Sequence, residues 1–396
     1  MSDNEIVWEE NGATQRMRWH SEAGLPPPKR VVVADDSMSA DAAYRLACEG
    51  TGLLWRGDFQ NARLLLQALA RRVDGAAKKG PKPDKIGKAG AHVKASKLKE
   101  KTPTEAFHLY RMGQAQRART LGMLLIPFDA DHTIPLRRAP GVVEACTEVY
   151  GEVDTPYVAT LRELIGLIGA HEWHRRGLPL PALGAQAKIH AHYGVFAPVR
   201  GEYLELVARA PLPKAEQAFD IGTGTGVLAA ILARRGIKPV LATDNNPRAL
   251  ACARDNVGRL GFNLRIEVIE ADLFPPAERG RAGLIVCNPP WLPGKPGSPI
   301  EAAIYDQDSR MLKGFLAGLA ARLTPNGEGW LVLSDLAEHL GLRTRDELLG
   351  WIAAGGLKVL GTLEATPEHP KVEDEHDPLH AARKKEVTTL WRLGAA

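Results

Sequence analysis

Two hydrophobic rhythms divide the chain. From about residue 190, short apolar runs of strand type alternate with longer segments whose apolar residues recur every three or four positions. "GEYLELVARA" predicts a helix, "EQAFDIG" a strand, and "GVLAAILARRG" a helix closed by glycine. "KPVLATD", "RIEVIEADL", "GLIVCNPP" and "GWLVLSD" predict further strands. "NPRALACARDNVGRLG", "SRMLKGFLAGLAARL" and "AEHLGLRTRDELLGWIAAGG" predict the helices around them. "KVLGTLEAT" and "EVTTLWRL" are closing strands joined by a polar loop, so the last strand is expected to be antiparallel. Alternation of this kind predicts an α/β fold with a doubly wound, mostly parallel sheet.

Before residue 190 the helical period dominates. "SADAAYRLACEG" and "FQNARLLLQALARRV" predict helices over residues 39 to 73. A capping-box pattern, Thr102 or Thr104 with Glu105, opens a helix-like run over 102 to 127 that carries Arg111, Arg117 and Arg119. Residues 155 to 177 predict another helix, beginning after Thr155-Pro156 and ending at Gly177. Between these lies "KKGPKPDKIGKAGAHVKASKLKEK", residues 78 to 101, with nine lysines against two acids and no sustained period. Such a stretch buries little apolar surface and reads as a loop or linker. The expected organisation is a helix-rich N-terminal domain over 1–188, with the Lys-rich loop at 78–101, and a second domain over 189–396.

Composition narrows the class without deciding function. The 396 residues are 44% hydrophobic and 25% charged, with a net charge of only +4. That is a soluble globular balance, and the length suits two domains. Cys48, Cys146, Cys252 and Cys287 are too far apart for a CxxC motif and form no disulfide framework. A reducing cytoplasm, no signal peptide and no membrane are therefore expected.

The candidate chemistry lies at the strand ends. Gly222, Gly224 and Gly226 occupy a strand-to-helix turn, where glycine permits tight backbone angles and close approach of a ligand. The third glycine comes one position earlier than in GxGxxG. Asp244 ends the next strand, twenty-four residues after Asp220, where a carboxylate can accept ribose hydroxyls. Asp272 ends the third strand. The fourth runs into Asn288, Pro289, Pro290 and Trp291. The prolines stop strand pairing, but the Asn and the Trp are not explained by termination.

Together "FDIGTGTGVLA", "ATDNNPRAL", "EADLF" and "CNPPW" resemble the class I S-adenosylmethionine-dependent methyltransferases, and within them the small-domain type with an Asn-Pro-Pro-aromatic motif. "YGVFAPVRGEYLELVA" resembles the segment preceding the core in that group, where a Val-Phe-x-Pro-x-Arg pattern lies near the cofactor. The resemblance covers about residues 190 to 396. It implies a Rossmann-like seven-stranded sheet and S-adenosyl-L-methionine as cofactor. Gly222, Thr223, Gly224 and Gly226 would wrap the methionine part, with Asp220 near its amino group. Asp244 would hold the ribose and Asp272 would lie beside the adenine. Phe196 and the arginine that follows Val199, Arg200, would border the cofactor. Asn288 and the Pro289 carbonyl would take the acceptor's amino group, and Trp291 would stack on a planar acceptor.

An exocyclic amine or amide nitrogen is a weak nucleophile because its lone pair is delocalised. Two oxygen acceptors that bind both N–H groups orient that lone pair without a general base. Methylation of an amino nitrogen of an RNA base, ribosomal RNA being favoured, is the first expectation. The alternatives are a protein glutamine N5-methyltransferase acting on a translation or ribosomal protein, a small-molecule N-methyltransferase, and a non-catalytic RNA-binding module. The lysines of 78–101 could grip phosphates or be merely solvated. His171 and His174 of "HEWH" do not match HExxH and read as surface residues, His190 and His192 as linker residues. His369, His376 and His380 lie in an acidic loop between the last two strands, read as solvated.

Overall fold

The computed structural model describes residues 4–79, 101–368 and 373–396. It divides into two units, Met1–Gly169 and Ala170–Ala396, with the division falling inside a helix. The Lys-rich stretch lies outside the described residues except at positions 78, 79 and 101, and so does His369.

The first unit holds the sheet strands β1 (Glu5–Glu10), β2 (Ala13–Trp19), β3 (Arg30–Ala34), β4 (Thr51–Trp55), β5 (Leu124–Phe128) and β6 (Tyr157–Thr160). Their order is β1-β2-β6-β5-β4-β3. β3, β4 and β5 are parallel, and β6 is antiparallel to β5. Helices α1 (Ala40–Cys48), α2 (Phe59–Lys79), α3 (Pro103–Leu121), α4 (Val143–Tyr150) and α5 (Leu161–Arg176) flank these strands in sequence. The expected helices are present, but the helix-rich reading missed the sheet. The run at 102–127 splits into α3 and β5, and the run at 155–177 into β6 and α5. Strands β4, β5 and β6 are buried at every position, so they show no period-two alternation and merge with neighbouring helical patterns. Of the two threonines, Thr102 forms the capping box with Glu105.

The second unit begins with the end of α5 from Ala170, followed by a two-residue ribbon, β7 (Leu178–Pro179) with β8 (Lys188–Ile189), and helix α6 (Glu202–Arg209). Then follow β9 (Ala218–Ile221), α7 (Val227–Arg234), β10 (Val240–Asp244), α8 (Pro247–Arg259), β11 (Ile266–Glu270) and β12 (Ala282–Cys287). A short pair, β13 (Leu292–Pro293) and β14 (Tyr305–Asp306), precedes α9 (Arg310–Arg322). The chain closes with β15 (Leu323–Ser334), α10 (Leu336–His339), α11 (Arg345–Ala354), β16 (Leu357–Ala365) and β17 (Thr388–Ala395). The seven-stranded sheet has the order β11-β10-β9-β12-β15-β17-β16. It is a Rossmann-like doubly wound sheet, parallel from β11 to β15, with β17 antiparallel to both neighbours as expected.

The near-continuous apolar sequences of β9 and β12 follow from their central place, where both faces are covered. Helix α7 buries every residue from Val227 to Ala233 against the same core as α6, while Phe219, Ile221, Ile285 and Cys287 meet α9 through Leu312, Phe315 and Leu319. β16, on the edge, is exposed or half-buried from Lys358 to Ala365 and keeps its lysine exposed. No helix among the described residues is long and apolar enough to cross a membrane. All four cysteines are free.

Candidate active site

From β9 the chain winds outward through β10 and β11, then crosses back to β12 on the other side of β9. The sheet therefore has its switch point between β9 and β12, where open α/β sheets bind ligands beyond the carboxyl ends of the strands. Ile221 at the end of β9 pairs with Thr243 of β10 and Cys287 of β12. The glycine turn, Asp244 and Asn288 consequently emerge from three adjacent strand ends.

The turn needs its glycines for distinct reasons. Gly222 has φ +69°, and an added Cβ would lie 2.3 Å from Cε of Met311. Gly226 has φ +80° and caps α7, and a Cβ there would press on the backbone of Ala253 in α8 at 3.3 Å. Thus the third glycine, one place early against GxGxxG, still serves helix packing. The amide of Gly224 donates to Asp244 Oδ2 at 3.0 Å, and the amide of Asn246 donates to Oδ1 at 2.9 Å. These bonds fix the half-buried carboxylate while leaving lone pairs on both oxygens.

Asp220 is 1% exposed. Its Oδ2 accepts from the Thr223 hydroxyl at 2.6 Å and from the Ala229 amide at 3.0 Å. Oδ1 is buried without a hydrogen-bond partner among the described residues. Burial pushes its pKa up to about 6, opposed by the Thr223 and Ala229 bonds and reinforced by the Asp244 charge. A buried carboxylate oxygen of this kind fits a cationic donor, such as the ammonium of S-adenosylmethionine. Asp272 is different. It is exposed and paired with Arg310 Nη2 at 2.6 Å.

Beyond β12, Asn288 is half-buried and Pro289 buried. The Trp291 indole N–H donates to Asn288 Oδ1 at 2.8 Å. Indole is a donor only, so this bond fixes which end of the carboxamide is oxygen and leaves one lone pair for an acceptor group. The arrangement therefore differs from the simple expectation: Trp291 orients the Asn288 amide in addition to offering a ring. Tyr203 meets the indole edge-on at 6.5 Å between centroids, and the Arg200 guanidinium lies 5.1 Å over it.

Arg200 is held in turn by Glu202 Oε1 at 2.6 Å and by Glu386 Oε1 at 3.1 Å. Glu386 is 2% exposed and also accepts from the Ser334 hydroxyl at 2.7 Å. The structure thus places Arg200 on Trp291, while Phe196 of the same pattern is 37% exposed. Glu386, Ser334 and Met311 lie in no motif, and Tyr203, though inside the "YGVFAPVRGEYLELVA" segment, is outside its Val-Phe-x-Pro-x-Arg pattern. Arg200 was the available signal: a buried-side arginine needs a carboxylate partner somewhere in the chain.

Residues 186–345 match the family model described as "Methyltransferase small domain". The tRNA1(Val) (adenine(37)-N6)-methyltransferase of Shewanella loihica is 28% identical over 194 residues, covering 47% of this chain and 76% of that protein. The ribosomal protein L11 methyltransferase of Chelativorans sp. is 32% identical over 191 residues, covering 47% and 58%. The release factor glutamine methyltransferase of Cereibacter sphaeroides is 36% identical over 151 residues, covering 37% and 50%. The chain thus spans three quarters of the first relative's length and about half of the third's. The switch-point turn, the Asn-Pro-Pro-Trp motif and the β11-β10-β9-β12-β15-β17-β16 order lie on one unit, and residues 186–345 of it match the methyltransferase small-domain model, in keeping with a class I S-adenosylmethionine-dependent methyltransferase arrangement.

Proposed function

We propose that the protein methylates a planar amino nitrogen, with an exocyclic amine of an RNA base, ribosomal RNA favoured, as the acceptor. What supports this reading is that β9, β10 and β12 are adjacent, so that Asp220, Asp244 and the Asn288-Pro289 step lie at or just beyond the strand ends of one switch point, with Asn288 Oδ1 held by the Trp291 N–H. The motif suits a glutamine amide equally well by chemistry. The lysines of 78–101 and the first relative's RNA acceptor favour RNA.

In this reading Asp220 pairs with the ammonium of S-adenosyl-L-methionine, and Asp244 accepts the ribose hydroxyls. The 222–226 turn lies against the methionine part, and Asp272 with Arg310 borders the adenine end. The cofactor supplies an electrophilic methyl group on sulfonium sulfur. Asn288 Oδ1 and the Pro289 carbonyl accept the two N–H groups of the acceptor, which turns the nitrogen lone pair toward that methyl. Trp291 stacks on the acceptor through the ring face away from Arg200. The N-terminal unit selects the macromolecular substrate, and the enzyme works in the cytoplasm. The test is transfer of tritiated methyl from S-adenosylmethionine to RNA and protein extracted from a deletion strain. Label in deproteinised RNA is expected. Label confined to a protein glutamine would replace the RNA reading with the glutamine one.

A further inference from the structure

Three residues that the methyl-transfer reading does not use meet at one place in the second unit. His174 stands in the last turn of α5, His192 in the segment after β8, and Asp255 in the middle of α8. Nε2 of His174 and Nε2 of His192 each lie 3.5 Å from the same atom, Asp255 Oδ2. All three donor atoms fall within 4.8 Å of one another, and the two imidazole rings are 4.6 Å apart at 60°. All three residues are half-buried.

We propose that His174, His192 and Asp255 form a zinc site, with water as the fourth ligand. Two imidazoles and one carboxylate are a ligand set suited to Zn²⁺. Tetrahedral bonds of about 2.0–2.2 Å place neighbouring donors roughly 3.4 Å apart. The two 3.5 Å separations match that edge, whereas a strong charge-assisted N–H···O bond is about 2.7–2.9 Å.

The surroundings hold the ligands in place. Asn256, fully buried, accepts from the His190 amide at 2.8 Å and donates to the His190 carbonyl at 3.1 Å, which pins the segment bearing His192 to α8. His190 Nδ1 bonds the His174 carbonyl at 2.6 Å, tying the end of α5 to the same segment. Arg259 donates to both oxygens of Asp255 at 2.9 Å. A carboxylate has about four acceptor sites, so Oδ2 retains one for a metal. The guanidinium orients the ligand and also lowers the local attraction for a cation, which sets a moderate affinity. Neither "HEWH" nor "KIHAHYG" signals this site alone, because each supplies one ligand.

The test is calorimetric titration of chelator-treated full-length protein with Zn²⁺ alone. One site per chain is expected. Affinity should fall in His192→Gln, and separately in Asp255→Asn, by more than the roughly 10–100-fold that outer-shell changes cost. Far-ultraviolet circular dichroism identifies any variant that fails to fold, and the other then decides. S-adenosylmethionine affinity, measured on the same samples, should stay within twofold of wild type, separating loss of zinc from loss of the cofactor site. Absence of saturable zinc binding, or binding that both folded variants retain, overturns the proposal.

Discussion

At Asp220 burial opposes ionisation, and the consequence can be followed through pH. Its folded pKa of about 6 stands above the unfolded value of 3.8. Between these values the folded chain keeps a proton that the unfolded chain has lost. Stability of the ligand-free protein therefore falls as pH rises from about 4 to 6, by on the order of 3 kcal/mol. A cation at Oδ1 reverses the preference, so S-adenosylmethionine should bind more tightly as Asp220 ionises. Calorimetry from pH 5 to 7.5 should show affinity rising through about pH 6. Asp220→Asn should bind at least about tenfold more weakly, the loss of one charge-assisted bond, with a flat profile over that range. It should also melt no lower than wild type at pH 8 without ligand. Trp291 permits a second dissection. Trp291→Phe keeps a ring but removes the N–H that orients Asn288, so single-turnover methyl transfer should slow by up to about tenfold. Trp291→Ala should slow it further. A wild-type rate in the phenylalanine variant would mean that the indole N–H does not hold the amide.

The strand that leads to Asn288, β12, is buried at every position. An added Cβ at Gly283 of β12 would lie 2.7 Å from Ala215 Cα and 3.0 Å from the Lys214 carbonyl oxygen. Backbone cannot step aside as a side-chain tip can, so Gly283→Ala should cost about 1–3 kcal/mol. Gly350 of α11 has open space around its Cα. Gly350→Ala should stabilise by roughly 0.5–1 kcal/mol through helix propensity. Urea unfolding of the two variants should show midpoint shifts of opposite sign. Legibility also varied by element. β9, β10 and β12 could be read because a glycine turn, the Asp244 carboxylate and the Asn288-Pro289-Pro290 step respectively end their apolar runs. β4, β5 and β6 could not: "TGLLW", "LLIPF" and "YVAT" are buried throughout and adjoin helical patterns. The motif residues of the site were legible because they are consecutive. Glu386 was not, since it reaches Arg200 from 186 positions away. His174, His192 and Asp255 likewise join only through folding.

Across the whole molecule, charge placement bears on the acceptor. Arg117 of α3 is held by Asp74 at 2.8 Å, so that helix offers less free positive charge than its sequence suggested. The nine lysines of residues 78–101 therefore carry most of the electrostatic case for RNA. Each phosphate contact steepens the dependence of log affinity on log salt concentration by about 0.7–0.9. If four or more of these lysines touch phosphates, exchanging all nine for glutamine should flatten the slope by roughly three units. RNA affinity at low salt should fall steeply. S-adenosylmethionine affinity should stay unchanged, because Asp220, Asp244 and the glycine turn, the residues proposed to hold the cofactor, are not among those exchanged. Filter binding across a salt series, with cofactor calorimetry on the same samples, measures both. An unaltered slope would remove the segment from RNA recognition and shift the balance toward a glutamine acceptor. A flattened slope with intact cofactor binding would instead assign acceptor capture and methyl transfer to separate parts of the chain.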